Sequence, residues 1–135
     1  MSLALPPIDK REELILYRIS CSKNALDESD YLAANKMWTG AVNRLYYSCY
    51  YLVVALLLKY GLTAKSHVGV KSMLTLNFVK TDIISIESGK FFQLIFSVRH
   101  SSDYDDYISC DEETYKDLRF GANQFFEEIK MLLSK

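Results

Sequence analysis

The run from about Met37 to Tyr60 constrains the chain most. It contains two interleaved apolar seams at helical spacing. Trp38, Val42, Leu45, Cys49, Leu52 and Leu56 form one; Arg44, Tyr47, Ser48, Tyr51, Ala55 and Leu58 form the other. A helix that is apolar nearly all round must be covered on every side, so it belongs at the centre of a bundle. Gly61 then stands where a helix commonly stops. The most apolar part, Leu45 to Leu58, is short for a membrane span and contains Ser48.

The flanking segments supply the covering layers. With only 5 Gly and 2 Pro in 135 residues, and both prolines at positions 6 and 7, long helices go uninterrupted. Residues 1–8 read as a loose N-terminal arm and 9–135 as one helical domain. Asp9 opens a helix to about Ala34, whose seam is Ile15, Ile19, Ser22, Leu26, Ser29 and Ala33. Asn35 and Lys36 mark a break. Ser66 is a candidate cap for a short helix from His67 to Phe78, and residues 80–84 connect it to the next. A fourth helix spans about Ser85 to Tyr107. The last runs from about Asp111 to Leu133, with either Ser109 or Asp111 as its cap. The fold class is therefore all-α: an up-and-down helical bundle of four long helices plus one short helix.

Charge and cysteine usage narrow the function classes. A formal net charge of -1 carries no strongly basic footprint for nucleic acid. Three cysteines without metal-ligand spacing read as reduced thiols. With no signal-like N-terminus, a soluble, cytoplasmic protein without membrane association is expected. The acidic residues 103–113 lack the spacing and the glycine of a calcium loop, and no phosphate loop or zinc motif is present. No metal or cofactor is expected.

The chemistry concentrates at Arg99-His100-Ser101-Ser102-Asp103-Tyr104. Phe92, Ile95, Phe96, Arg99, Asp103 and Asp106 share a helical face that starts as core and ends as charge. Arg and Asp on the continuation of a Phe-rich face must pair or line a cleft. Arg44 is the other charge embedded among aromatics. Two arginines and an aspartate on one groove would hold a phosphate or another anion, or would lock helices or subunits together. His67, at a helix start, is either a ligand contact or a surface histidine. His100 points about 100° away from Arg99 and so does not share its face. The candidate ligand-binding set is Arg44, Tyr47, His67, Arg99, Asp103 and Tyr104; Arg99 and His100 are the catalytic candidates.

Several stretches carry a family resemblance. Ala41-Val42-Asn43-Arg44-Leu45-Tyr46-Tyr47-Ser48, then Ala55-Leu56-Leu57 and Gly61, resembles the second helix of prokaryotic HEPN (higher eukaryotes and prokaryotes nucleotide-binding) domains. Ser66-His67-Val68-Gly69-Val70 and Phe78-Val79-Lys80 resemble their next segment. Arg99 through Asp103-Tyr104 is similar to the Arg-x-x-x-Asp-Tyr element of one branch. The resemblance covers about residues 10 to 133. It implies an up-and-down bundle that dimerises through its long helices, often paired with a minimal nucleotidyltransferase in a toxin–antitoxin-like system. It also implies binding of a nucleotide, or in toxin members cleavage of RNA. The RNA-cutting members carry Arg, four to six residues, then His. Here the positions at that spacing from Arg99 are Tyr104, Asp105 and Asp106, so the ribonuclease motif is incomplete. The expectation is a non-catalytic or weakly catalytic module; a ribonuclease toxin using His100 or His67, or a purely structural dimeric protein, are the alternatives.

Overall fold

A computed structural model describes residues 7–135, so most of the expected N-terminal arm lies outside the described residues. Five α-helices follow in order: α1 (Ile8–Ala34), α2 (Trp38–Lys59), α3 (His67–Leu74), α4 (Ile86–Tyr104) and α5 (Glu112–Leu133). No strand occurs among the described residues. The all-α bundle anticipated from the apolar seams is the fold observed.

Helix α2 is the axis of the molecule. Val42, Leu45, Tyr46, Cys49, Leu52, Val53 and Leu56 are all 0% exposed, with α1, α3, α4 and α5 packed around them. By length and composition alone α2 would also pass for a membrane span, but most of its surface is already covered inside the bundle.

The α1–α2 contact explains the polar gaps in the α1 seam. Ser22 Oγ donates to the Ser48 carbonyl at 2.7 Å, and Ser48 Oγ returns a bond to the Ser22 carbonyl at 2.8 Å. One level along, Ser29 Oγ donates to the Ala41 carbonyl at 2.7 Å. Small side chains let the two backbones approach, and their hydroxyls are satisfied by carbonyls across the seam. Asp30 ties α1 to α5, accepting from Arg119 Nε at 3.2 Å and from the Tyr115 hydroxyl at 3.3 Å.

The junctions follow local chemistry. Gly61 takes φ 75°, the left-handed turn that ends α2. Ser66 Oγ accepts from the Gly69 amide at 2.9 Å and so starts α3 at His67. Asp111 caps α5 through the Thr114 amide at 2.8 Å, which decides between the two candidate caps.

Two boundaries differ from expectation. The third helix does not run evenly to Phe78: α3 ends at Leu74, and a wider π-helical turn spans Thr75–Val79, with the Lys80 amide bonded to the Thr75 carbonyl. Phe78 is fully buried in this turn, edge-on to Tyr60 at 4.9 Å. The fourth helix ends at Tyr104 rather than Tyr107, because Asp105 is already extended and Tyr107 has φ 63°. Asp106 therefore leaves the stripe that the helical spacing assigned to it.

Candidate functional site

The site forms where α2, α3 and the last turns of α4 meet. Helix α4 carries Phe92, Ile95 and Phe96 into the core and presents Arg99 one turn later. The Arg99 side chain is only 5% exposed. Its guanidinium lies 4.5 Å from the Tyr46 ring centre, 5.8 Å from that of Tyr47, and 6.0 Å from those of Phe96 and Tyr104. The ring faces offset part of the cost of taking a cation out of water.

Ionic compensation is incomplete. Arg99 Nη1 reaches Asp103 Oδ2 at 3.4 Å, long for a charge-assisted bond. The same carboxylate oxygen accepts from Asn43 Nδ2 at 2.9 Å, so Asp103 is held from α2 as well as from α4. Arg99 Nε is buried without a hydrogen-bond partner among the described residues. A buried guanidinium therefore sits beside one rim carboxylate, with donor capacity to spare.

Tyr46 and His67 complete the floor. Tyr46 is 0% exposed, and its hydroxyl lies 2.8 Å from His67 Nδ1. Burial pushes the Tyr46 phenol well above its ordinary range, against the opposing pull of Arg99. His67 stacks on Tyr50 at 4.2 Å and meets Tyr47 edge-on at 5.6 Å. Burial, and then the Arg99 charge, lowers the His67 pKa, so the ring is neutral near neutral pH. Gly69 allows this entry to α3, since a Cβ there would come within 3.3 Å of Ala64 and 3.2 Å of Ser66 Oγ.

The remaining candidates lie around this floor. Arg44 pairs with Glu28 of α1 at 3.3 Å, and its guanidinium is 5.1 Å from the Tyr47 ring. Arg44 and Arg99 thus approach a common ring, while the aspartate belongs to Arg99 alone. Tyr104 is exposed at the end of α4. His100 is exposed beside it, with its ring 4.8 Å from that of Tyr104 and 6.3 Å from that of Phe96. Asn43, Tyr46 and Tyr50 were not among the site residues expected from the sequence. The usable signal was their spacing: Asn43, Tyr46, Tyr47 and Tyr50 share one face of α2.

Comparison with known proteins identifies the family. The family model described as the HEPN domain matches residues 16–132, a span that contains every residue of the site. The chain belongs to the HEPN domain family. A "UPF0332 protein" of Thermotoga maritima is 35% identical over 126 residues, covering 93% of this chain and 96% of the relative. A protein of Methanocaldococcus jannaschii named "Putative toxin MJ0142" is 30% identical over 115 residues, covering 85% and 78%. A second from that organism, named "Putative toxin MJ0605", is 32% identical over 127 residues, covering 94% and 93%. In this HEPN chain the last turns of α4 bring Arg99 to an aromatic floor built by α2 and α3. Among the described residues, no group of three His, Cys, Asp or Glu side chains is placed to hold a metal ion.

Proposed function

We propose that this HEPN chain is a non-catalytic or weakly catalytic cytoplasmic module that binds a nucleotide or another phosphate-bearing ligand at the Arg99 cluster. It would act as a homodimer beside a nucleotidyltransferase in a toxin–antitoxin-like pair. The observation that carries the reading is Arg99 itself. A structural arginine locked in a core would be saturated by its neighbours. This one is almost fully buried with a single long ion pair, and its Nε lacks a partner among the described residues, as do those of Arg11, Arg18 and Arg44. Phosphate oxygens match such a fork of donors, and the aromatic rings nearby suit a base. Tyr47, His67, Asp103 and Tyr104 border the same position, and Arg44 adds positive charge behind Tyr47. Calorimetric titration with ATP and with GTP tests the reading. Saturable heat lost in Arg99→Met supports it; no heat at millimolar ligand removes it.

The toxin names of two relatives and the closeness of His67 to the Arg99 cluster favour a second reading, an RNA-cutting toxin. Metal-free cleavage requires a group that takes the 2′-hydroxyl proton, and His67 is the histidine in contact with the aromatic floor. RNA incubated with the purified chain and with Arg99→Ala decides it: cutting that depends on Arg99 establishes a ribonuclease, and its absence leaves the binding module.

A further inference from the structure

His67 offers two different chemistries, and its neighbour selects between them. A neutral imidazole donates from one nitrogen and accepts at the other, and the partner of one nitrogen fixes the role of its opposite. Here Nδ1 faces the Tyr46 hydroxyl at 2.8 Å. That hydroxyl is a phenol on a ring 4.5 Å from the Arg99 guanidinium. An unprotonated imidazole nitrogen is a stronger hydrogen-bond acceptor than a phenol oxygen, and the guanidinium beside this ring makes its oxygen a poorer acceptor still. With Tyr46 as donor and Nδ1 as acceptor, the imidazole proton would be left on Nε2. The partly exposed His67 ring is clamped in place by stacking on Tyr50 at 4.2 Å. Among the described residues Nε2 has no hydrogen-bond partner and is not a buried orphan.

We propose that Tyr46 is a positioning residue that holds His67 in the Nε2–H tautomer, making His67 a hydrogen-bond donor to a phosphate-bearing ligand at the Arg99 cluster rather than a general base. The ligand role rests on the binding reading above; the tautomer does not. A nitrogen that already carries a proton cannot accept one from a ribose hydroxyl. The same contact therefore disfavours His67 as the base of the RNA-cutting alternative. The groups facing the ring are Tyr46, Tyr47 and Tyr50 from α2 and the Arg99 charge from α4. None of these is a carboxylate that would draw the proton to Nδ1.

Long-range ¹H–¹⁵N correlation spectra of the full ligand-free chain near neutral pH read the tautomer directly. The expected pattern for His67 is pure Nε2–H, with a slowly exchanging Tyr46 hydroxyl proton. In Tyr46→Phe, which keeps the ring, the hydroxyl signal disappears and a mixture of tautomers replaces the pure form. An Nδ1–H pattern in the wild type, or a Tyr46→Phe spectrum unchanged at His67, would overturn the proposal. ATP titration then tests the donor. His67→Gln places an amide N–H near the position of Nε2 and should bind within about twofold of wild type. His67→Phe keeps the stack without the donor and should weaken binding about tenfold to a hundredfold, the worth of one hydrogen bond to a charged group. Equal weakening by Gln and Phe would defeat the donor role. If wild type gives no heat with ATP, the nucleotide-binding reading and the donor role built on it fall together, and the tautomer assignment still stands or falls on the spectra.

Discussion

At the scale of single residues, Arg99 is held more by ring faces than by its ion pair. Cation–π contact with a desolvated guanidinium contributes on the order of 2 kcal/mol, while the Asp103 carboxylate is partly exposed and also held by Asn43. Removing the arginine therefore strands no deeply buried charge. Arg99→Met keeps most of the volume against the rings and should lower stability by only about 1 kcal/mol in urea unfolding. Arg99→Lys should cost more, roughly 2 kcal/mol, because an ammonium is more strongly hydrated and lacks the planar fork. A lysine variant more stable than the methionine variant would contradict this account. His67 gives a pH dependence with a definite sign. Its folded pKa lies below the ordinary value of 6.5, first through burial and then through Arg99. The unfolded chain binds that proton more readily, so stability is full above about pH 6.5, declines as pH falls below it, and levels off once the folded chain is also protonated. Tyr46 and Tyr50, whose pKa values burial raises, stay neutral across that window. Thermal midpoints between about pH 8 and about pH 5 should fall less steeply in His67→Gln than in wild type. Arg99 and Asp103 were legible in the sequence because charge on an apolar stripe demands an explanation. Tyr46 was not: one tyrosine among four in a core helix reads as packing, and only the meeting of three helices shows where its hydroxyl goes.

At the scale of elements, helix identity follows from apolar spacing, whereas helix ends depend on details that spacing does not carry. The serines of α1 looked like gaps in a seam and are instead the contacts that let α1 lie close against α2. The even spacing through Phe78 hid the π-helical turn, since a single apolar residue does not distinguish a normal turn from a wider one. That turn creates a close contact with α4. A Cβ at Gly89 would lie 2.6 Å from Val79 Cγ2. Alanine would add about 1 kcal/mol of helix propensity, but overpacking a β-branched side chain costs about 1–3 kcal/mol. Gly89→Ala should thus be destabilised by roughly 1 kcal/mol. In a Val79→Ala background the same change should be neutral or stabilising, and a double-mutant cycle from urea melts measures the difference. A stabilising Gly89→Ala in the otherwise unaltered chain would show that the turn yields more readily than the contact implies.

At the scale of the whole molecule, one helix apolar on all sides was enough to specify a bundle, because every other helix has to cover it. The surface left over is less legible, since exposed apolar residues do not name their partner. Leu16, Tyr17 and Tyr31 are exposed on α1, the longest helix, at 68%, 59% and 70%. Scattered apolar exposure is ordinary for a surface. The proposed homodimer gives this face a use and makes a thermodynamic prediction that needs no knowledge of the interface. If two folded chains associate and the unfolded chains do not, folding is linked to association. The folded dimer then gains about 1.4 kcal/mol for each tenfold rise in chain concentration. Urea midpoints measured at two concentrations a hundredfold apart should separate accordingly, and sedimentation equilibrium should give twice the chain mass at the higher one. Leu16→Glu should bring the two midpoints together without altering the His67 tautomer, because α1 does not border that ring. Midpoints independent of concentration, with a monomer mass throughout, would mean that α1 faces water and that the Arg99 cluster acts within one chain.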